Sequence, residues 1–270
     1  MNARLETSFA HYGALTELVD YVNDRLMQSV ARGKAEPGLS VRCGHLRLAP
    51  DRIEAWVGPF RLASSALPLK PVATDEPLAW WRHVNVTSAS GNAVAADALI
   101  RLQTSEEAAV AMDRLYRLLH MLNHLAVARG DESLWVPLSQ RHLLAVEGGH
   151  GGFFEEVLLA CGMGPERLVM LVNAQATGEA DWSHVATACE NYRARGFGIA
   201  IHAGERAADL EHRILHELQP DWLAAPAGLV AAVRALAPAI PVVALGGFET
   251  GLQPGDRYAA KWGAVPRFAA

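Results

Sequence analysis

The residues best equipped for chemistry in this chain stand at the ends of apolar runs. His202 and Glu205, in IHAGER, follow the run GFGIAIH at 196–202, where a strand opening onto the active face of an α/β barrel would carry its catalytic groups. An imidazole three positions from a carboxylate is an acid–base pair or half of a metal site. No third partner stands at a recognisable spacing, so the plain reading is a histidine and a loop acid without chemistry. The glycine-rich GGHGG at 148–152 would approach a phosphate at the start of the following helix. It lacks the lysine and Ser/Thr of a P-loop, and a simple loop accounts for it. The 11 histidines are spread singly and show no ligand cluster. Cys43, Cys161 and Cys189 are odd in number and far apart, which reads as reduced thiols with neither a zinc site nor a disulfide framework.

The frame that must position these groups is large enough for one barrel. The chain has 270 residues, 51% of them hydrophobic and 20% charged, the composition of a globular protein. A net charge of −5 argues against general nucleic-acid binding, which needs a basic face to neutralise phosphates. The opening MNARLETSFAHYG carries charges and no apolar run, so it is not expected to be a secretory signal. The stretch from Trp222 to Phe248 is interrupted by Arg234, Pro226, Pro238 and Pro241, which suits strand-helix-strand better than a membrane span. A cytoplasmic protein with no membrane association is the expectation.

Apolar residues at Leu5, Phe9, Leu15, Leu18, Val19, Val22, Leu26 and Val30 predict an amphipathic N-terminal helix, placed at 1–38. Two runs, LSVRCGHLRL and RIEAWVGPFRL, separated by Ala49-Pro50-Asp51, read as paired strands. Residues 63–95, rich in Pro, Ser, Ala and Asn, read as irregular, with Trp80-Trp81 either a partner anchor or, preferably, a buried plug. Ser105 with Glu106 and Glu107 predicts a capped helix from 105 to about 129. Beyond it, strands at 134–138, 167–174, 196–202, 218–226 and 240–250 alternate with helices, a rhythm that implies a parallel sheet, closed or doubly wound.

Several of these segments resemble the EAL domain, the cyclic di-GMP phosphodiesterase module. HLRLAPDRIEAWVGPFR (45–61) resembles its opening hairpin and the signature G-x-E-A-L-x-R, with Val57 at the glutamate and Arg61 at the closing arginine. LWVPLSQRHLLAV resembles V-N-L-S and the turn after it, with Pro137 at the asparagine. GMGPERLVMLVNA resembles G-L-x-P-x-x-L-x-L-E-I-T-E, with Leu171 at the first glutamate. His202 and Ala203 stand at the paired aspartates, Ala224 at the lysine and Pro226 at the aspartate of K-I-D. VVALGGFET resembles V-x-A-E-G-V-E-T with one extra residue, which puts Leu245 at the first glutamate and Glu249 at the second.

The resemblance implies a single EAL-like (β/α)8 TIM-type barrel at 39–270. Two-metal phosphodiester hydrolysis needs hard oxygen ligands, and Val, Pro, Leu and Ala supply none. The resemblance therefore implies a degenerate, non-enzymatic chain without a cofactor or metal, regulating bacterial signalling by contact with a transcription factor or signalling enzyme. A homodimer comes second, and cyclic di-GMP binding is not expected. The stripe of Phe9, Leu15, Leu18, Val22 and Leu26 would be the partner surface unless it covers the barrel's bottom. The alternative is a metal-independent cyclic di-GMP receptor built on Arg61, with Glu249 as a further ligand candidate or a loop-closing group. The third reading is a barrel enzyme with different chemistry around His202 and Glu205.

Overall fold

The computed structural model describes residues 3–31, 44–74, 76–128, 130–174, 177–178, 181–204, 212–246 and 252–259, without the side chains of 3–13, 29–31 and 212–214. Two compact units emerge, Met1–Ser64 with Val84–Ala128, and Ser65–His83 with Arg129–Ala270. The division expected from the sequence was 1–38 and 39–270. Two of the boundaries fall inside long strands, β3 (Phe60–Pro71) and β4 (Ala79–Ser88), and the third falls between α3 (Glu106–Leu125) and β6 (Ser133–Pro137).

The second unit is a closed eight-strand barrel. After β3 and β4 its strands are β6 (Ser133–Pro137), β7 (Leu168–Asn173), β8 (Gly198–His202), β9 (Trp222–Pro226), β10 (Val242–Leu245) and β11 (Arg257–Ala259). The ring order is β3-β11-β10-β9-β8-β7-β6-β4, with β4 pairing back to β3. β4 and β6 to β10 pair in parallel, as does β11 with β10, whereas β3 runs antiparallel to β11 through Pro71↔Arg257 and Lys70↔Tyr258. Strands covered on both faces read as unbroken apolar runs, and all six residues of β7 and all four of β10 are buried. Large and small side chains alternate around the interior: Trp81, Trp135 and Trp222 meet Ala200, Ala224 and Ala259. Trp135 and Trp222 pack edge to face at 5.7 Å, and the Arg257 guanidinium lies 4.4 Å above the Trp222 ring.

Between the strands lie α4 (Gln140–Ala145), α5 (Gly152–Ala160), α6 (Trp182–Arg193), α7 (His212–Leu218) and α8 (Val230–Leu236). The turn into β11 is tied by Asp256, which is 1% exposed. Its carboxylate accepts both Oδ contacts from Arg234 at 2.6 Å, the Val242 N–H at 2.8 Å and the Gln253 N–H at 2.7 Å.

The first unit contains α1 (Ala3–Ala31), the meander β1 (His45–Leu48), β2 (Ile53–Val57) and the start of β3, then β5 (Ala93–Val94), α2 (Ala96–Arg101) and α3 (Glu106–Leu125). Ser105 caps α3 by accepting the Ala108 N–H. Two asparagines fasten helices to strands by using their amides as surrogate peptide groups. Asn23 of α1 donates to the Leu46 carbonyl at 3.0 Å and accepts its N–H at 2.8 Å. Asn123 of α3 does the same to Ile53, at 2.8 and 3.0 Å. Leu15, Val19, Val22 and Leu26 are buried and Leu18 is half-buried, in a helix that packs on α3 and β1. The proposed partner stripe is therefore core of this unit; the side chain of Phe9 lies outside the described residues.

Residues 63–95 are corrected from irregular to strand, since β3 and β4 occupy most of them. The strands at 45–57 do form a hairpin, but it lies outside the ring, and the pair that enters the ring is β3 with β4. Trp81 is a plug as expected, although within the barrel.

Three substitutions test these ties. Asn123→Ala strands a buried N–H and C=O and is expected to cost about 2–4 kcal/mol in urea unfolding, with Asn23→Ala at the lower end because its site is only part-buried. Asp256→Ala leaves Arg234 and two N–H groups without their acceptor and is expected to cost about 3–5 kcal/mol by the same measurement.

Candidate functional site

Barrel strands present their functional groups at their C-terminal ends, and interior positions recur every second residue. On β7 the interior face runs Val169, Leu171 and then Asn173; on β8 it runs Ala200 and then His202. Asn173 and His202 are register partners, so a carboxamide and an imidazole stand side by side at the strand ends. The His202 ring meets Trp81 edge to face at 6.0 Å. On β4 the same alternation carries Ala79, Trp81 and then His83, while Arg82 points to the opposite face.

Burial decides the charge of these groups. His202 is 6% exposed, and desolvation pushes its pKa down to about 4, so the ring is neutral at pH 7. Burial likewise lowers the pKa of His83. Arg82, lowered to about 10 by the same cause, keeps its charge.

The positions matched in the barrel do come together on adjacent strands. Pro137 pairs in register with Leu171, His202 with Ala224, and Pro226 with Leu245, and the Ala203 N–H donates to the Ala224 carbonyl at 2.8 Å. Leu171, Ala224 and Leu245 fill the interior. Val57 lies on β2 and Arg61 near the start of β3, both in the first unit. Val57 is fully buried on β2, outside the ring, so its match to the signature glutamate is corrected. Arg61 belongs to the first unit, where its guanidinium, 44% exposed, sits 3.7 Å from Glu54 on a surface that Arg52 shares. A charge so solvated and already paired is a weak anchor for a phosphate. Glu205 and Glu249 lie outside the described residues.

Among the described residues these strand ends do not fit a divalent cation. Pro137, Leu171, Ala203, Ala224, Pro226 and Leu245 offer no side-chain oxygen, and no group of three or more His, Cys, Asp or Glu among the described residues is arranged to hold a metal. Asn173 and His83 escaped the sequence reading. Asn173 ends a run read correctly as a strand, so its place on the interior face was available from alternation; His83 fell in the segment read as irregular.

No family model and no curated protein matches the sequence. Solved structures do. BlrP1 of Klebsiella pneumoniae, in complex with manganese and cyclic di-GMP, superposes with a TM-score of 0.59 at 16% identity, over 80% of this chain and 56% of that one. The fold is that of an EAL domain. The YkuI protein of Bacillus subtilis, with an EAL domain and in complex with substrate c-di-GMP and calcium, gives 0.56 at 16% identity over 69% of this chain and 48% of its own. The PaMucR phosphodiesterase in complex with c-di-GMP gives 0.59 at 15% identity over 76% and 91%. This chain thus spans about half the length of the BlrP1 and YkuI chains.

Two expectations change. The chain was expected not to be an enzyme, yet its barrel is an enzyme fold, shared with a phosphodiesterase and with a protein holding c-di-GMP as substrate. The expectation that cyclic di-GMP is not bound stands against the same three structures, each of which holds the nucleotide. Among the described residues no helix is long and apolar enough to cross a membrane.

The buried imidazole makes a pH prediction. His202 in the unfolded chain takes a proton below pH ~6.5, whereas in the fold it resists until about 4. The stability it confers is complete above the unfolded value and is lost as pH falls from there toward the folded one. Between pH 7 and 5 that loss is expected to reach about 2 kcal/mol, and His202→Gln should flatten this part of the profile in urea unfolding. An equal slope in the variant would assign the acid sensitivity to another group.

Proposed function

We propose that this chain is a regulatory module of bacterial cyclic di-GMP signalling whose barrel mouth receives the nucleotide through hydrogen bonds and ring contacts. The observation that carries this reading is the pairing of Asn173 with a neutral His202, beside Trp81, at the strand ends of an EAL fold. Ligands of α/β barrels bind at that end of the strands. A carboxamide offers two donors and an acceptor, and a neutral imidazole offers one of each, which suits the edge of a guanine base. Neither group neutralises a phosphate. Recognition of this kind depends on base contacts and only weakly on salt.

Calorimetric titration of the full chain with cyclic di-GMP, in Mg²⁺ and in EDTA, tests the proposal, with nucleotide products separated from the same samples. Saturable binding of similar affinity in both buffers is expected, weakened on the order of tenfold in Asn173→Ala and in His202→Ala, the loss of roughly one good hydrogen bond. Absence of binding at millimolar nucleotide removes the reading. Hydrolysis that EDTA abolishes would replace it with metal chemistry drawn from residues beyond those described.

A further inference from the structure

The connection between β6 and β7 and the helix that follows β7 together hold a histidine cluster that the proposed nucleotide site does not use. His142 of α4, His150 of the Gly148–Gly152 loop and His184 of α6 converge on one point. The ring of His150, which is 1% exposed, lies 6.3 Å from that of His142, 5.9 Å from that of His184 and 6.0 Å from that of Tyr192. The Leu143 carbonyl accepts from Nε2 of both His150 at 3.0 Å and His184 at 2.9 Å, and His184 Nε2 also reaches the Val146 carbonyl at 3.1 Å. Tyr192 Oη and His142 Nε2 share a hydrogen bond of 3.3 Å. The end of α4 is thereby tied to the loop and to α6. Gly149 at φ 68° and Gly151 at φ 85° allow the loop to turn His150 inward, and a Cβ at Gly151 would come within 2.9 Å of the Tyr192 ring.

We propose that this cluster is an acid-sensitive latch on the segment 143–152. Neutral rings satisfy the shared carbonyl without burying a charge. Second and third protons would place like charges about 6 Å apart, a separation at which repulsion inside a protein is substantial. Charged groups surround the cluster on each element packed against it. Arg195, after α6, donates from Nε to the His150 carbonyl at 3.0 Å, and its NH1 is bonded to Glu155 of α5, so that carboxylate is already engaged. Glu147 on the loop, Glu156 on α5 and Glu190 on α6 are exposed; Arg141 on α4 and Asp181 before α6 are half-buried. Arg193 turns away to the Leu218 carbonyl. Opening the segment separates and hydrates the rings and so relieves that repulsion.

The latch bears on the barrel mouth through covalent connection. α4 begins at the C-terminal end of β6, with Ser139 accepting the His142 N–H at 3.1 Å, and Leu138 donates its N–H to the Leu171 carbonyl at 2.9 Å. Release at the far end of α4 loosens the segment that leaves the strand.

Amide hydrogen exchange at pH 7.5 and 5.5, corrected for intrinsic rates, reads the latch directly. The amides of Gly152 and Glu155, bonded to the carbonyls of Gly149 and Gly151, are expected to lose about tenfold in protection relative to those of β7. In the double variant His150→Gln and His184→Gln, whose amides keep a donor at each site, the ratio should stay within about twofold. Equal protection at both pH values, or the same loss in the variant, overturns the proposal. Should the variant fail to fold, NMR titration of the wild-type rings decides: protonation that coincides with loss of protection supports the latch, and protonated rings beneath protected amides sink it. This outcome is independent of whether cyclic di-GMP binds.

Discussion

A closed ring of eight strands encloses a space that side chains alone must fill, and the way they fill it governs the rest of the second unit. Three indoles supply the volume, and alanines at Ala200, Ala224 and Ala259 give them room. An apolar filling of this kind excludes water, and it is the exclusion of water that keeps His202 neutral. Among the described residues, Asn173 and His202 at the strand ends are therefore hydrogen-bonding and uncharged. The chemistry available at the mouth is a consequence of packing one layer below it.

Much of the barrel was legible because its central strands are covered on both faces. LVMLVN, GIAIH and VVAL read as continuous apolar runs between helical patterns, which is what burial on two sides demands. β3 and β4 were not legible for the opposite reason. Pro68, Pro71, Ser64, Ser65 and Asn85 interrupt them, and each strand contributes to two units, so no single alternation runs their full length. β11 has only three residues and carries no period at all. The N-terminal stripe was read correctly as amphipathic, but a sequence shows that a face is apolar without showing what covers it.

The candidate site divides along the same line. His202 announced itself by standing at the end of an apolar run, and its neighbour Asn173 had the same credentials. Val57 was matched on a hairpin at 45–57 that has the pattern of a barrel entry, yet β2 is not a ring strand; pattern specifies a hairpin, and only pairing partners specify which sheet it joins. The histidine cluster lay beyond any reading by spacing, since His142, His150 and His184 come from three elements and share no local period.

The closing of the ring carries a kinetic consequence. Lys70 pairs with Tyr258, so the seam between β3 and β11 joins residues far apart in sequence. Every element of the first unit has been synthesised by residue 128, whereas the barrel lacks its last stave until β11 emerges. Non-local pairing is entropically slow to form, and an unpaired strand exposes backbone groups that other chains can capture. During synthesis β3 therefore waits with an open edge for most of the chain's length. The four contacts on Asp256 place the turn before β11 in position and thereby shorten the search that ends the exposure.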